Sequence, residues 1–123
     1  MILIDTSVWI DHLRSGDWAL MQLLNRGQVL THPFVIGELA LGNLRQRQVI
    51  RDTLVDLPRA SVASDEEVLG FIGQDTLFES GVGYIDAHLL AATRLTADAT
   101  LWTRDKRLRA AADRLGLAPK PPL

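Results

Sequence analysis

The chain contains no cysteine, so it can form no disulfide, no thiolate metal site and no cysteine nucleophile. No apolar run is long enough to cross a bilayer, because charge or glycine interrupts each one within a few residues. The N-terminus enters a strand-like run without a cationic leader, so no export signal and a cytoplasmic location are expected. Glycine-rich phosphate loops and a G-x-S-x-G elbow are both missing, and Ser7 has no base paired with it in sequence. His12, His32 and His88 match no zinc spacing, which leaves packing as the expected role of His88. Neither sign of charge dominates: 13 Lys and Arg stand against 15 Asp and Glu, a net charge of −2 that disfavours a general nucleic-acid binder.

What is present is a set of four misplaced carboxylates. Glu38 lies in PFVIGELALGNL, where its one-turn neighbours are Phe34, Val35, Leu41 and Gly42. Asp86 lies in YIDAHLLAATRLTA, with Val82, Gly83, Leu89 and Leu90 at the same offsets. Residues three and four apart share a helix face, so both acids are expected to project from apolar stripes, away from any helix start. Asp5 closes the run MILID, and Asp105 follows TLWTR. Either of these two can be explained as a helix cap, and Glu38 or Asp86 as a rim residue or an arginine partner. Together they point to a cation site, since two like charges ~4 Å apart repel by roughly 4 kcal/mol at an effective dielectric near 20. Carboxylates are hard oxygen ligands suited to Mg²⁺ or Mn²⁺, and such ions hydrolyse phosphodiesters. Setting the four aside leaves 11 acids against 13 Lys and Arg, with positives grouped in Arg45–Arg51 and Arg104–Arg109. The remaining surface can therefore tolerate a phosphate backbone.

The periodicity predicts a strand over 1–5, a helix through Leu13 capped by Thr6 or Ser7, and a helix from Asp17 to Asn25 closed by Gly27. A strand over 28–31 then leads through Pro33 into the Glu38 helix. Further helices are expected over 46–57, from the capping box at Ser64 through Glu79, over 84–97 around Asp86, and over 105–115. Strands are expected over 59–63 and 100–103, with an edge pairing at Leu117-Ala118. At 123 residues this makes one domain over 1–118, followed by a loose tail over 119–123. The expected fold is α/β: three layers, α/β/α, around a central, mostly parallel sheet of four to five short strands. Ligands bind such sheets beyond the carboxyl ends of the strands, which is where Asp5 and Asp105 fall. Trp9, Trp18 and Trp102 are expected to fill the core or an interface rather than stack bases.

The segments ILIDTSVWID, GELALG, GYIDAHLLAAT and LWTRDKRL, in this order, resemble PIN-domain ribonucleases, and among them the VapC toxins of toxin–antitoxin pairs. The resemblance runs from Ile2 to about Leu115. It implies that Asp5, Glu38, Asp86 and Asp105 hold Mg²⁺ or Mn²⁺, with Asp105 the most variable in role. It also matches Thr6 and Thr103 to hydroxyl positions of the family. The activity it implies is RNA cleavage that shuts down translation and leaves a 5′-phosphate. Arg104, Lys106 or Arg107 would steady the RNA backbone. The implied partners are a VapB-like antitoxin and a second copy in a homodimer or larger assembly. Val8, Trp9, Leu13, Trp18, Leu20, Leu23 and Leu24 offer apolar area for such a partner or for the core.

Two rival readings fit less well. A response-regulator receiver needs adjacent acids after its first strand, where Asp5-Thr6 stands, and a phosphoacceptor Asp at a middle strand end, where Ala63-Ser64 falls. A dehalogenase-like phosphatase needs a second Asp at the position of Ser7. A third alternative is a catalytically inactive cation-binding module, which predicts no RNA cleavage at all.

Overall fold

The computed structural model describes residues 1–42, 47–48 and 52–123. In β1 (Ile2–Ile4), Leu3 and Ile4 point to opposite faces of the sheet, yet both are fully buried. Both residues of β2 (Val29–Leu30), and Leu101 and Trp102 in β3 (Thr100–Trp102), are likewise buried on opposite faces. A sheet that is dry on both faces needs cover on both, which is the α/β arrangement. All pairing is parallel in the order β2-β1-β3, with Ile2 opposite Val29 and Thr100, and Ile4 opposite Trp102. The chain thus leaves β1 for one neighbour and later returns to the other side. Ligand crevices open where winding reverses in this way, beyond the carboxyl ends of the strands. Between β1 and β3, the next two residues beyond the pairing are Asp5 and Thr103.

The sheet is smaller than expected, with three strands rather than four or five among the described residues. The segment 59–63 contributes only a bridge, Thr31 opposite Arg59, held by Thr31 N–H to the Pro58 carbonyl (2.8 Å) and Ala60 N–H to that of Thr31 (2.9 Å). Leu117 contributes one bond, its carbonyl accepting from Leu101 N–H at 2.8 Å. Both segments touch the sheet at a point, and neither continues far enough to add a ladder.

Side-chain caps set most helix starts. Asp5 caps α1 (Thr6–Ser15), Asp17 caps α2 (Trp18–Asn25) through Leu20 N–H, and His32 caps α3 (Pro33–Ala40) through Phe34 N–H. Ser64 and Glu67 form the expected capping box on α4 (Asp65–Gln74). This helix stops well short of Glu79, because Thr76 adopts a left-handed φ of 56° that a right-handed helix cannot include; a 3₁₀ turn, Leu77–Glu79, follows. Gly83 precedes α5 (Tyr84–Leu95), and Asp105 caps α6 (Lys106–Arg114). The helix expected over 46–57 falls partly outside the described residues, as do Arg45 and Arg51 of the first basic group.

The core joins the sheet to these helices through Val8, Trp9, Leu20, Val35, Leu89, Leu90 and Leu108. Trp9 and Trp102 are buried as expected, whereas Trp18 is 72% exposed. Val8, Trp9, Leu20 and Leu23 are therefore core residues and offer no surface to a partner. Pro119, Pro122 and Leu123 of the tail line a cleft with Arg109 and Asp113 of α6. No helix among the described residues is long and apolar enough to cross a membrane.

Candidate active site

At the β1–β3 crevice, Asp5 is buried and tightly held. Its Oδ2 accepts from Ser7 Oγ (2.7 Å), from Thr103 Oγ1 (2.7 Å) and, at longer range, from Ser7 N–H (3.4 Å). Thr103 can reach it because the parallel register puts the residue after Trp102 beside the residue after Ile4. Thr103 Oγ1 in turn accepts from Asp105 N–H (3.1 Å), and Ser7 Oγ accepts from Arg104 N–H (3.0 Å). Asp105 Oδ1 caps α6 by accepting from Leu108 N–H at 3.0 Å. Both aspartates are thus helix caps as well as candidate ligands. Each caps through one oxygen, leaving Asp5 Oδ1 and Asp105 Oδ2 without a protein hydrogen bond among the described residues.

Glu38 and Asp86 come from α3 and α5. Glu38 is exposed and accepts one bond, from Thr6 Oγ1 at 2.7 Å. The stripe expected to bury it does not close over it: α3 ends at Ala40 and Leu41 is 87% exposed. Pro33, Phe34, Gly37, Leu41 and Ile85 instead form an open apolar groove beside the carboxylate. Asp86, expected away from any helix start, sits in the first turn of α5, because Gly83 ends the preceding loop. A helix N-terminus favours a negative charge, and the Gly83 amide pulls the Asp86 pKa down. Burial foremost, and then Asp5, Asp105 and Glu38, outweigh that pull and push Asp86 up to about 6. The four acids therefore share one electrostatic neighbourhood.

Rings on the segments that carry Glu38 and Asp86 pack edge to face. Phe34 meets His32 at 5.2 Å and His88 at 4.8 Å between centroids, and Tyr84 meets His88 at 4.7 Å. His32 Nδ1 accepts from Phe34 N–H at 3.0 Å, while its buried Nε2 has no partner among the described residues. Burial first, then the neighbouring His88 and Arg59, hold His32 down to about 4, so it is neutral in the fold.

As they stand, no three Asp, Glu or His side chains among the described residues meet closely enough to clasp an ion. The donor chemistry still fits a hard divalent cation. All four groups are carboxylates, each keeps at least one oxygen without a side-chain hydrogen bond among the described residues, and their shared repulsion falls on Asp86 and would be relieved by positive charge. Of the basic residues expected at the RNA backbone, Arg104 is already paired. Its guanidinium bonds Asp11 (2.7 Å) and Asp17 and lies over the Trp102 ring at 5.4 Å. Lys106 is exposed, and Arg107 runs across Gly81, where an added Cβ would lie 3.2 Å from the arginine Cδ. Ser7, expected as a possible cap of the first helix, leaves that cap to Asp5 and instead orients the Asp5 carboxylate. Its signal was its place two residues after a capping aspartate, where both its amide and its hydroxyl reach the carboxylate.

This architecture agrees with comparisons to known proteins. The PIN domain family model matches residues 2–114. Ribonuclease VapC32 of Mycobacterium tuberculosis, in strains CDC 1551 / Oshkosh and ATCC 25618 / H37Rv, is 48% identical over 118 residues, covering 96% of this chain and 95% of the relative. The span of the model match and the near end-to-end identity lead to one conclusion: the chain belongs to the PIN-domain family, in its VapC type.

Proposed function

We propose that the protein is a divalent-metal-dependent endoribonuclease, the toxin of a toxin–antitoxin pair. The observation that carries this reading is the elevation of Asp86 to about 6 by burial and three other acids, at the carboxyl end of a parallel sheet. Asp5, Glu38 and Asp86 would hold the ion, with Asp105 completing or extending the set. Mg²⁺ or Mn²⁺ held there supplies Lewis acidity and makes water a usable nucleophile toward phosphorus. Ser7 and Thr103 keep Asp5 turned by one oxygen, so that the other faces the crevice. Thr6 does the same for Glu38. Lys106 and Arg107, exposed at the start of α6, would meet the RNA backbone in this reading. Hydrolysis breaks the bond from phosphorus to the 3′ oxygen, leaving a 5′-phosphate and a 3′-hydroxyl.

In this reading RNA cleavage in the cytoplasm stops translation, and a VapB-like antitoxin neutralises the toxin by covering the apolar groove beside Glu38. The 87% exposure of Leu41 supports a covered groove, and a homodimer would bury further apolar surface. The test is cleavage of cellular RNA by protein freed of any partner, in Mg²⁺ or Mn²⁺, followed by mapping of new 5′ ends. Wild type should cut and Asp5→Asn should lose activity by on the order of 10²–10³-fold, the loss typical when one electrostatic stabiliser of a transition state is removed. Equal cleavage by the two proteins, or none by wild type, would leave an inactive module as the better description.

A further inference from the structure

Arg104 occupies an unusual place for a surface arginine. Its backbone N–H donates to Ser7 Oγ at 3.0 Å, and Ser7 Oγ donates to Asp5 Oδ2 at 2.7 Å. Its chain neighbours complete the same web: Thr103 Oγ1 bonds Asp5 Oδ2 at 2.7 Å, and Asp105 N–H bonds Thr103 Oγ1 at 3.1 Å. The segment 103–105 thus joins two of the four acids, yet it is a loop between β3 and α6 with no ladder of its own. Its fixing point is the Arg104 side chain. One guanidinium nitrogen reaches Asp11 Oδ2 of α1 (2.7 Å), a second reaches Asp17 Oδ2 at the start of α2, and the plane lies over Trp102. Asp17 still caps α2 through its other oxygen. Burial works to raise the Asp17 carboxyl, but the Leu20 amide and Arg104 together hold it below its ordinary value.

We infer that Arg104 is a positioning residue: its guanidinium, pinned by Asp11 and Asp17, straps the 103–105 loop to α1 and α2, so that Ser7 and Thr103 present Asp5 and Asp105 to the ion, and it takes no RNA phosphate. A planar fork suits this task because it can satisfy two carboxylates at once, which a lysine ammonium on a flexible stem does less well. Outer groups that orient metal ligands typically change metal affinity by roughly 10–100-fold when removed. The inference rests on the ion-site reading above for its consequence, but the strap itself can be read separately.

Two measurements on the full chain decide it. The first is amide hydrogen exchange without metal. In Arg104→Ala the Arg104 and Asp105 amides should lose protection while Leu3 and Leu101 in the sheet keep theirs; uniform loss, or none, overturns the strap. The second is Mn²⁺ affinity by electron paramagnetic resonance, well below the melting temperature. Arg104→Ala should weaken Mn²⁺ binding by roughly tenfold, and Arg104→Lys by less. The Asp11→Asn/Asp17→Asn double variant, which retains an Asn cap on α2, should reproduce the alanine loss. Adding Arg104→Ala to that pair should bring little further change, because partners in one network are not additive. On the Asp5→Asn background RNA affinity should be unchanged by Arg104→Ala. A drop in RNA affinity with a shallower salt dependence, and unchanged Mn²⁺ binding in Arg104→Ala, would make Arg104 a phosphate contact and overturn the inference. Absence of Mn²⁺ binding in wild type would instead remove the ion-site reading, with exchange still deciding the strap.

Discussion

On the β1–β3 side of the four acids, Asp5 is buried and takes two hydroxyl bonds on one oxygen, while Asp105 is held by the helix it caps. On the α3–α5 side, Glu38 is exposed with one hydroxyl donor, and the buried His32 Nε2 and both His88 nitrogens have no hydrogen-bond partner among the described residues, His88 Nε2 lying 3.5 Å from Asp65. The first side is preorganised by strand register, whose geometry is fixed by backbone pairing. The second depends on two helices meeting through half-buried Phe34 of α3 and buried His88 of α5, beside an apolar groove. On the metal-site proposal above, an ion would meet the stiff wall first. Glu38, exposed on the adjustable wall, would then be the last of the four acids to close on it.

The largest effect that would test this contrast is thermodynamic and lies on the adjustable side. His32 is held down to about 4 in the fold against 6.5 as a free side chain. The unfolded chain therefore binds the proton first, and stability falls as pH drops from about 6.5 to 4. With one pKa unit worth about 1.4 kcal/mol, the loss approaches about 3 kcal/mol at pH 4. His32→Asn, which keeps a capping acceptor, should flatten this slope in denaturant melts across that range. An unchanged slope would mean that His32 titrates normally in the fold.

Next in size come the hydroxyls. Ser7→Ala or Thr103→Val should weaken Mn²⁺ binding by roughly 10–100-fold, as expected for groups that orient a ligand. Thr6→Val, acting on exposed Glu38, should weaken it by only a few-fold. Calorimetric titration ranks the three, and an equal loss in all would erase the distinction between the two walls. The smallest effect concerns Asp86. A carboxyl raised to about 6 is ionised at a cost in the fold above that pH, while its unfolded form is ionised from about 3.8 upward. Asp86→Asn should therefore raise the melting temperature slightly in EDTA at pH 7, with the lost first-turn charge partly offsetting the gain. A lower midpoint would show that the helix end outweighs the repulsion.

Local chemistry made much of this readable in advance. The capping box at Ser64, the Asp17 cap and the apolar runs that became β1 and β3 announce themselves because each depends on residues within one turn or one strand. The extra strands did not form because isolated pairing at Thr31–Arg59 and Leu101–Leu117 is settled by partners far along the chain. Apolar neighbours of Glu38 suggested burial, but burial needs a second surface, and α3 ends before one arrives. Arg104 read as a phosphate ligand because its charge is visible in the sequence and its two aspartate partners, about 90 residues away, are not.

The sequence by itself determined which residues carry charge, where most helices begin and that four acids sit on separate segments, because these follow from residue type and short-range spacing. Only the tertiary structure decided that Thr103 meets Asp5, that Ser7 joins them and that Asp86 feels three other carboxylates. Those facts depend on strand register and helix docking, which bring distant segments within hydrogen-bond and Coulomb range.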